Sequence, residues 1–467
     1  SIETVQRGGG DGLNNIYRYT LPALGTLMIG PLMTLVDTAF LGLTSTTTQQ
    51  ASLSAASLLV DLPLLGISFL SLATTASVVH AANQASSTEE YMEELRAGLH
   101  APLYVALLCG AVLFTLANGL GPVLLSSLNI NTETLPYVLR YVDIRAWCLP
   151  VQSVIMVLQT LFLSRLNALT PFLLAAAATA LNIVLDFLAC YVLDLGIAGV
   201  AAATAVSQVL LLGGMVWGTR RAGMLPDSLT APHFRVLESV FKYFKHSWGP
   251  VLRVARMALM TGFTAVFLGN SSMAALQITL SMFLFLDLIG QSLHQSAQVM
   301  IQEFLPGGTH QQHAGMMIQS LLVTGLLLGL WTALIGCGLP VGCSWIFTSD
   351  VEVVSTMRSC VGLLATCYLL SPIAEAMTGV LLAANQIHAL VMTQMVAHAA
   401  MLVFLVDYTR FASWFPSGLS LVWGSYALML AVHLIGCGAV LALKQANQNT
   451  SNNVRAPPVQ SYRSQMS

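Results

Sequence analysis

Twelve apolar runs, each long enough to cross a bilayer, divide this chain and leave it little choice of fold. They cover residues 20–43, 53–83, 101–126, 146–165, 170–193, 196–218, 249–269, 273–301, 315–340, 360–384, 390–406 and 418–443. A spanning helix needs about 20 mostly apolar residues. Inside lipid every backbone polar group must be satisfied within the segment, so runs of this length read as helices. Charged residues make up only 8% of the chain, and mean hydropathy is +0.75. Soluble domains carry roughly 25% charged residues. The expected class is therefore an all-α integral membrane protein, multi-pass in the lipid bilayer, with plasma and organelle membranes both open.

Lys and Arg set the orientation. With both termini cytoplasmic, twelve fall on that side and four (Arg140, Arg145, Arg358, Arg410) on the other. This is a positive-inside bias. Five of the twelve (Arg220, Arg221, Arg235, Lys242, Lys245) lie in 219–248, which reads as a basic cytoplasmic linker. The net charge of −2 and the lack of a basic domain point away from nucleic acid. Residues 1–19, polar and Gly-rich, read as a tail rather than a signal peptide. The chain opens at Ser1 without Met, so a preceding targeting segment stays an open reading. From Lys444 the composition turns to Asn, Gln and Ser, and 444–467 reads as a disordered tail.

The two halves echo one another. Pro22 corresponds to Pro250, Phe40-Leu41-Gly42 to Phe267-Leu268-Gly269, Asp61 to Asp287 and Pro150 to Pro372, at a spacing that shrinks slowly along the chain. Six spans per unit send both halves into the membrane the same way round. The prediction is two parallel six-helix repeats, an N-lobe over 20–218 and a C-lobe over 249–443, with a substrate site between them.

Within these runs a few carboxylates stand out. An acid at a helix centre costs about 2.5–3.5 kcal/mol on translocon scales, so such groups face a bundle interior or a wet cavity. Asp37 is the only charge in 20–43. Asn182 and Asp186 are one turn apart on one helix face. Desolvation favours the protonated form of a carboxyl, and a neighbouring amide can hold that proton or offer oxygen to sodium. Asp61, Asp287 and Glu375 form a possible secondary pathway, with structural pairing as the alternative. Pro22 and Pro31 remove backbone hydrogen bonds ahead of Asp37 and make that helix a candidate for bending. Arg253 and Arg256, one turn apart, are expected to snorkel to the interface or to pair with these acids. Gly325 and Gly329 fit a close helix contact.

Other chemistry lacks its signatures. The eight cysteines show no CxxC spacing and read as buried apolar residues, with Cys343 and Cys360 the one pair placed to join. There is no P-loop, GxGxxG, GxSxG or HExxH motif, so no cofactor and no metal is expected. Any pumping must then draw on an ion gradient.

Taken together, the motifs resemble the multidrug and toxic compound extrusion (MATE) family, in its DinF-like branch. They are LPALGTLMIGPLMTLVDTAFLG (Leu21–Gly42), LNIVLD (Leu181–Asp186), GIAGVAAATAVSQ (Gly196–Gln208) and FLDLIGQSLHQSAQ (Phe285–Gln298). The resemblance implies two six-helix lobes forming a V around a central cavity, and a monomer exchanging a small organic solute for protons or sodium. It also implies an ion or proton site made by Asp37, Asn182, Asp186 and Thr204, with Pro22 as the bending point. One departure is visible: family members that bind a coupling ion in the C-lobe carry an acid on helix seven, where this chain has Arg253 and Arg256. That favours protons and the N-lobe. A lipid-type flippase of the wider superfamily, a membrane-embedded enzyme and a receptor are the alternative readings.

Overall fold

The computed structural model describes residues 11–127, 132–226, 238, 240, 243–244, 248–302, 311–384 and 386–455. Every regular element among them is helical. The spans, in chain order, are α1 (Asp11–Thr44), α2 (Thr47–Gln84), α3 (Thr88–Gly119), α4 (Leu135–Arg145 with Cys148–Ser164), α5 (Leu169–Val192) and α6 (Gly196–Arg221) in the first half. The second half holds α7 (Trp248–Phe267), α8 (Asn270–Gln302), α9 (Gln311–Gly342), α10 (Val361–Ala383), α11 (Ile387–Val406) and α12 (Gly418–Arg455). Ten are long and apolar enough to cross a membrane, and α4 is an eleventh, bent by 50° at its break. The remaining one, α7, carries Arg253 and Arg256 in its first half. Large apolar side chains such as Leu27, Val112, Leu173, Val206, Leu327 and Val403 point outward, as a lipid-facing surface requires.

Local chemistry sets several boundaries. Ser87 caps α3 by accepting the Glu90 N–H at 3.2 Å, while Glu90 Oε2 accepts the Ser86 N–H at 2.7 Å. That reciprocal arrangement satisfies two orphan helix-end donors. The glutamates of the acidic stretch Glu89–Leu95 are exposed on the first part of α3, while Leu95 is buried. Pro63, just past Asp61, interrupts α2, which continues through Leu62–Gly66 into Phe69–Gln84. Pro lacks the N–H that an unbroken helix needs there.

Some expectations need correction. Arg145 is not a loop residue: it ends the first piece of α4 and is only 5% exposed. α12 runs to Arg455, past the Lys444 boundary of the expected tail, and α1 begins at Asp11, inside the expected N-terminal one. The ends of both tails and most of 219–248 lie outside the described residues. Cys343 and Cys360 are both free thiols. Gly325 and Gly329 do mark a close contact: a Cβ at Gly329 would sit 2.6 Å from the Leu369 carbonyl oxygen of α10.

The halves form two lobes, with α1 and α2 packed on α8 and α7 packed on α2. Their internal correspondence extends to side chains. Asp61 on α2 bonds Arg145 on α4, and Asp287 on α8 bonds Ser371 on α10, so the acid on the second span of each repeat engages the fourth. An aromatic cluster of Phe283, Tyr368, Trp423 and Tyr426 fills the centre of the second lobe.

Candidate functional site

Three spans of the first lobe bring their polar residues together. Asp37 sits two turns before the end of α1, Asp186 two residues before the wider π-turn at Leu188–Val192 of α5, and Thr204 on α6. All three are buried, as is Asn182, one turn before Asp186. The Thr204 hydroxyl donates to Asp37 Oδ2 at 3.0 Å, and the Asp37 and Asp186 carboxyls lie within hydrogen-bonding reach of each other. Asp37 Oδ1, both oxygens of Asp186 and both polar atoms of the Asn182 amide have no donor or acceptor partner. Two facing carboxyl groups repel one another when both are ionised, which favours a proton or a cation between them. Pro22 lies lower in α1, half-buried, its carbonyl accepting the Thr26 hydroxyl at 2.8 Å.

The acids expected as a secondary pathway are each engaged. Asp61 Oδ1 accepts from Arg145 Nη2 at 3.0 Å, and Arg145 Nη1 donates to Gln208 at 2.9 Å. Asp287 accepts from the Ser371 hydroxyl and from Gln291 Nε2 at 3.4 Å. Glu375 Oε1 accepts from Arg253 Nη2 at 3.3 Å. Its Oε2 lies 3.5 Å from His294 Nδ1, within ion-pair range but outside hydrogen-bond geometry. Arg253 therefore pairs rather than snorkels.

A cavity of about 1380 Å³ opens between the lobes. Its walls come from the later parts of α2, α8 and α10, the starts of α3, α7 and α11, and the middle of α12. Those segments adjoin the connections at 85–87, 222–247 and 384–386, on the face that the Lys and Arg bias assigns to the cytoplasm. Toward the other face the lobes are closed. Thr47 donates to Asp350, Gln50 Nε2 to the Phe347 carbonyl at 3.0 Å, Thr134 to Asn270 Oδ1 at 3.0 Å and Gln277 Nε2 to the Thr38 hydroxyl at 3.4 Å. Gly42 stands against the Phe347 carbonyl oxygen and Gln50, where a Cβ has no space.

This architecture matches solved transporters. An inward-facing multidrug resistance MATE family transporter of the MOP superfamily superposes with TM-score 0.73 at 13% identity, covering 93% of this chain and 100% of the other. The eukaryotic MATE transporter AtDTX14 gives 0.68 at 16% identity, over 93% and 97%. In sequence, "Protein DETOXIFICATION 47, chloroplastic" from Arabidopsis thaliana is 25% identical over 447 residues, 94% of this chain and 81% of that protein.

The fold is that of the MATE transporters.

A family profile described as lipid II flippase MurJ also matches residues 5–231. The solved structures that this chain resembles are transporters, and the likeness is one of fold. Its two-lobe, twelve-span layout is the MATE layout expected from the sequence. What the sequence reading missed is the closed outer side. Thr47, Gln50 and Gln277 are neither charged nor motif-forming, and their partners across the closure lie in the other half of the chain. The cavity's charge also escaped it, because the reach of Arg253 and Arg256 depends on helix rotation. A guanidinium placed well inside an otherwise apolar run was the available signal.

Proposed function

We propose that this chain is a secondary antiporter that exports a small organic solute in exchange for protons. Its coupling site is formed by Asp37, Asp186, Asn182 and Thr204. The observation that carries the proposal is the buried pair of facing carboxyls with several unpartnered polar atoms. Such a pair has two stable occupancies, with and without the shared proton, and so titrates as a unit. A proton needs one carboxyl, whereas a hard cation wants several oxygens at once. Protons are thus favoured over sodium. In the proposed cycle the ionised pair goes with the solute-accepting arrangement. Protonation from the outer side removes the charge, α1 bends near Pro22 and the solute is released outward.

Asp37→Asn tests the coupling. The amide mimics the protonated carboxyl and cannot titrate. Efflux from proteoliposomes driven by an acid-outside pH gradient in sodium-free buffer should fall to background, at wild-type membrane abundance. Unchanged efflux would remove Asp37 from the mechanism, and export appearing only with added sodium would reassign the ion. A lipid-type substrate is the second reading, favoured by the flippase profile over 5–231. Movement of a labelled lipid between leaflets by the reconstituted protein would support it.

A further inference from the structure

The cavity's charges do not cancel, and the surplus lies on one side chain. Glu375 is the one carboxylate among the described lining residues, and Arg253 and His294 already flank its two oxygens. Asp287 is held behind the wall by Ser371 and Gln291 and does not line the cavity. His398 places both ring nitrogens against backbone carbonyls, Gln394 at 2.7 Å and Leu252 at 2.9 Å, and so braces α11 on α7. His433 is engaged with Thr378 at 3.0 Å.

Arg256 is different. Its guanidinium carbon lies 4.8 Å from the centroid of the Tyr426 ring, and no carboxylate among the described residues comes within ion-pair distance. The ring face holds the cation by its π electrons and leaves the in-plane N–H donors unspent. The facing wall from α2 and α3 bears no Asp, Glu, Lys or Arg; it carries His80 and Asn83, and its apolar part includes Leu72, Ala76 and Val79.

We infer that Arg256, backed by Tyr426, is the anchor for the carboxylate of an amphipathic organic acid whose apolar body lies against the α2 wall. The inference rests on the transport reading above and names its substrate class. A planar guanidinium matches a carboxylate with two parallel hydrogen bonds, a geometry Lys cannot reproduce. The same group repels lipophilic cations, which find the only lining carboxylate already engaged. Specificity of this kind comes from repulsion of the wrong ligand as much as attraction of the right one.

The test is calorimetric titration of the purified full-length chain with two aromatic ions of opposite sign, 2-naphthoate and tetraphenylphosphonium. Wild type should bind naphthoate more tightly than the phosphonium. Arg256→Gln should weaken naphthoate at least about tenfold, a loss of about 1.4 kcal/mol, with Arg256→Lys intermediate. A second readout needs no variant: naphthoate should slow phenylglyoxal modification of Arg256, followed by mass spectrometry. Equal naphthoate affinity in Arg256→Gln, no naphthoate binding to wild type, or tighter binding of the phosphonium would each overturn the assignment. No gradient is present in these titrations, so they do not depend on proton coupling. Efflux persisting in Asp37→Asn would sink the coupling site and leave Arg256 standing.

Discussion

Arg145 shows how many neighbours one buried charge can hold together. Only 5% exposed, it holds Asp61 and Gln208 and lies 6.0 Å from the Tyr141 ring centroid. Removing one partner of a buried ion pair strands the other, which costs about 3–5 kcal/mol. Asp61 is 29% exposed, so the lower end applies. Arg145→Met should lower stability by about 3 kcal/mol, read as a fall in melting temperature in detergent. Arg145→Met with Asp61→Asn should recover part of it. Asp61→Asn failing to rescue would mean that Arg145 acts through Gln208 instead. Asp37 and Asp186 were legible in the sequence because a charge in an apolar run has few innocent explanations, and the Asn182–Asp186 spacing fixed a shared face. Thr204 came only through the family resemblance, since a hydroxyl on a membrane helix ordinarily bonds its own backbone. It does that here too, to the Val200 carbonyl at 2.9 Å. The Arg145–Asp61 pair stayed hidden because Arg145 fell outside the apolar runs, where charge is expected.

At the level of elements, the outer closure joins the start of α2 to the short helix Val351–Ser359. Asp350 serves both. It caps that helix by accepting the Glu352 N–H at 2.8 Å and the Val353 N–H at 3.4 Å, and it accepts the Thr47 hydroxyl across the lobes. The Thr47 hydroxyl first, then the backbone N–H groups, hold its carboxyl below the ordinary carboxylate value. A carboxyl depressed in this way stabilises the closed arrangement above its ordinary value, and that stabilisation is lost as pH falls through the depressed one. Spin labels at Thr46 and Trp345 should therefore report a longer interlobe distance below about pH 4, the ordinary carboxylate range. Asp350→Asn should show the longer distance already at neutral pH, with no further change on acidification. A distance that ignores both would remove Asp350 from the closure. Span number and order were readable from length and apolarity alone, whereas the breaks in α2 and α4 were not. Apolar runs look the same whether a helix passes straight through or turns at Asp61 and Arg145.

For the molecule as a whole, the duplicated architecture gives two lobes of similar build with different chemistry. One carries the carboxyl pair, the other the guanidiniums. Collinear matches such as Asp61 with Asp287 made the repeat legible, but nothing in it indicated which side of the membrane the lobes would seal. Among the described residues the seal combines apolar packing of α1 and α2 on α8 with four polar contacts and one glycine that tolerates no Cβ. Gly42→Ala should wedge it, and a maleimide that cannot cross membranes should then label Thr38→Cys severalfold faster from outside, in a background lacking the native cysteines. Unaltered labelling would show that the helices shift to absorb the methyl group. Each polar contact contributes only about 0.5–1.5 kcal/mol net, so no single one of them locks the closed side. Where lid opening is slower than binding, it sets turnover. In the proposed cycle the clock then lies at Gly42 and Asp350, and variants there should change how many solutes leave per second without changing which solutes are chosen.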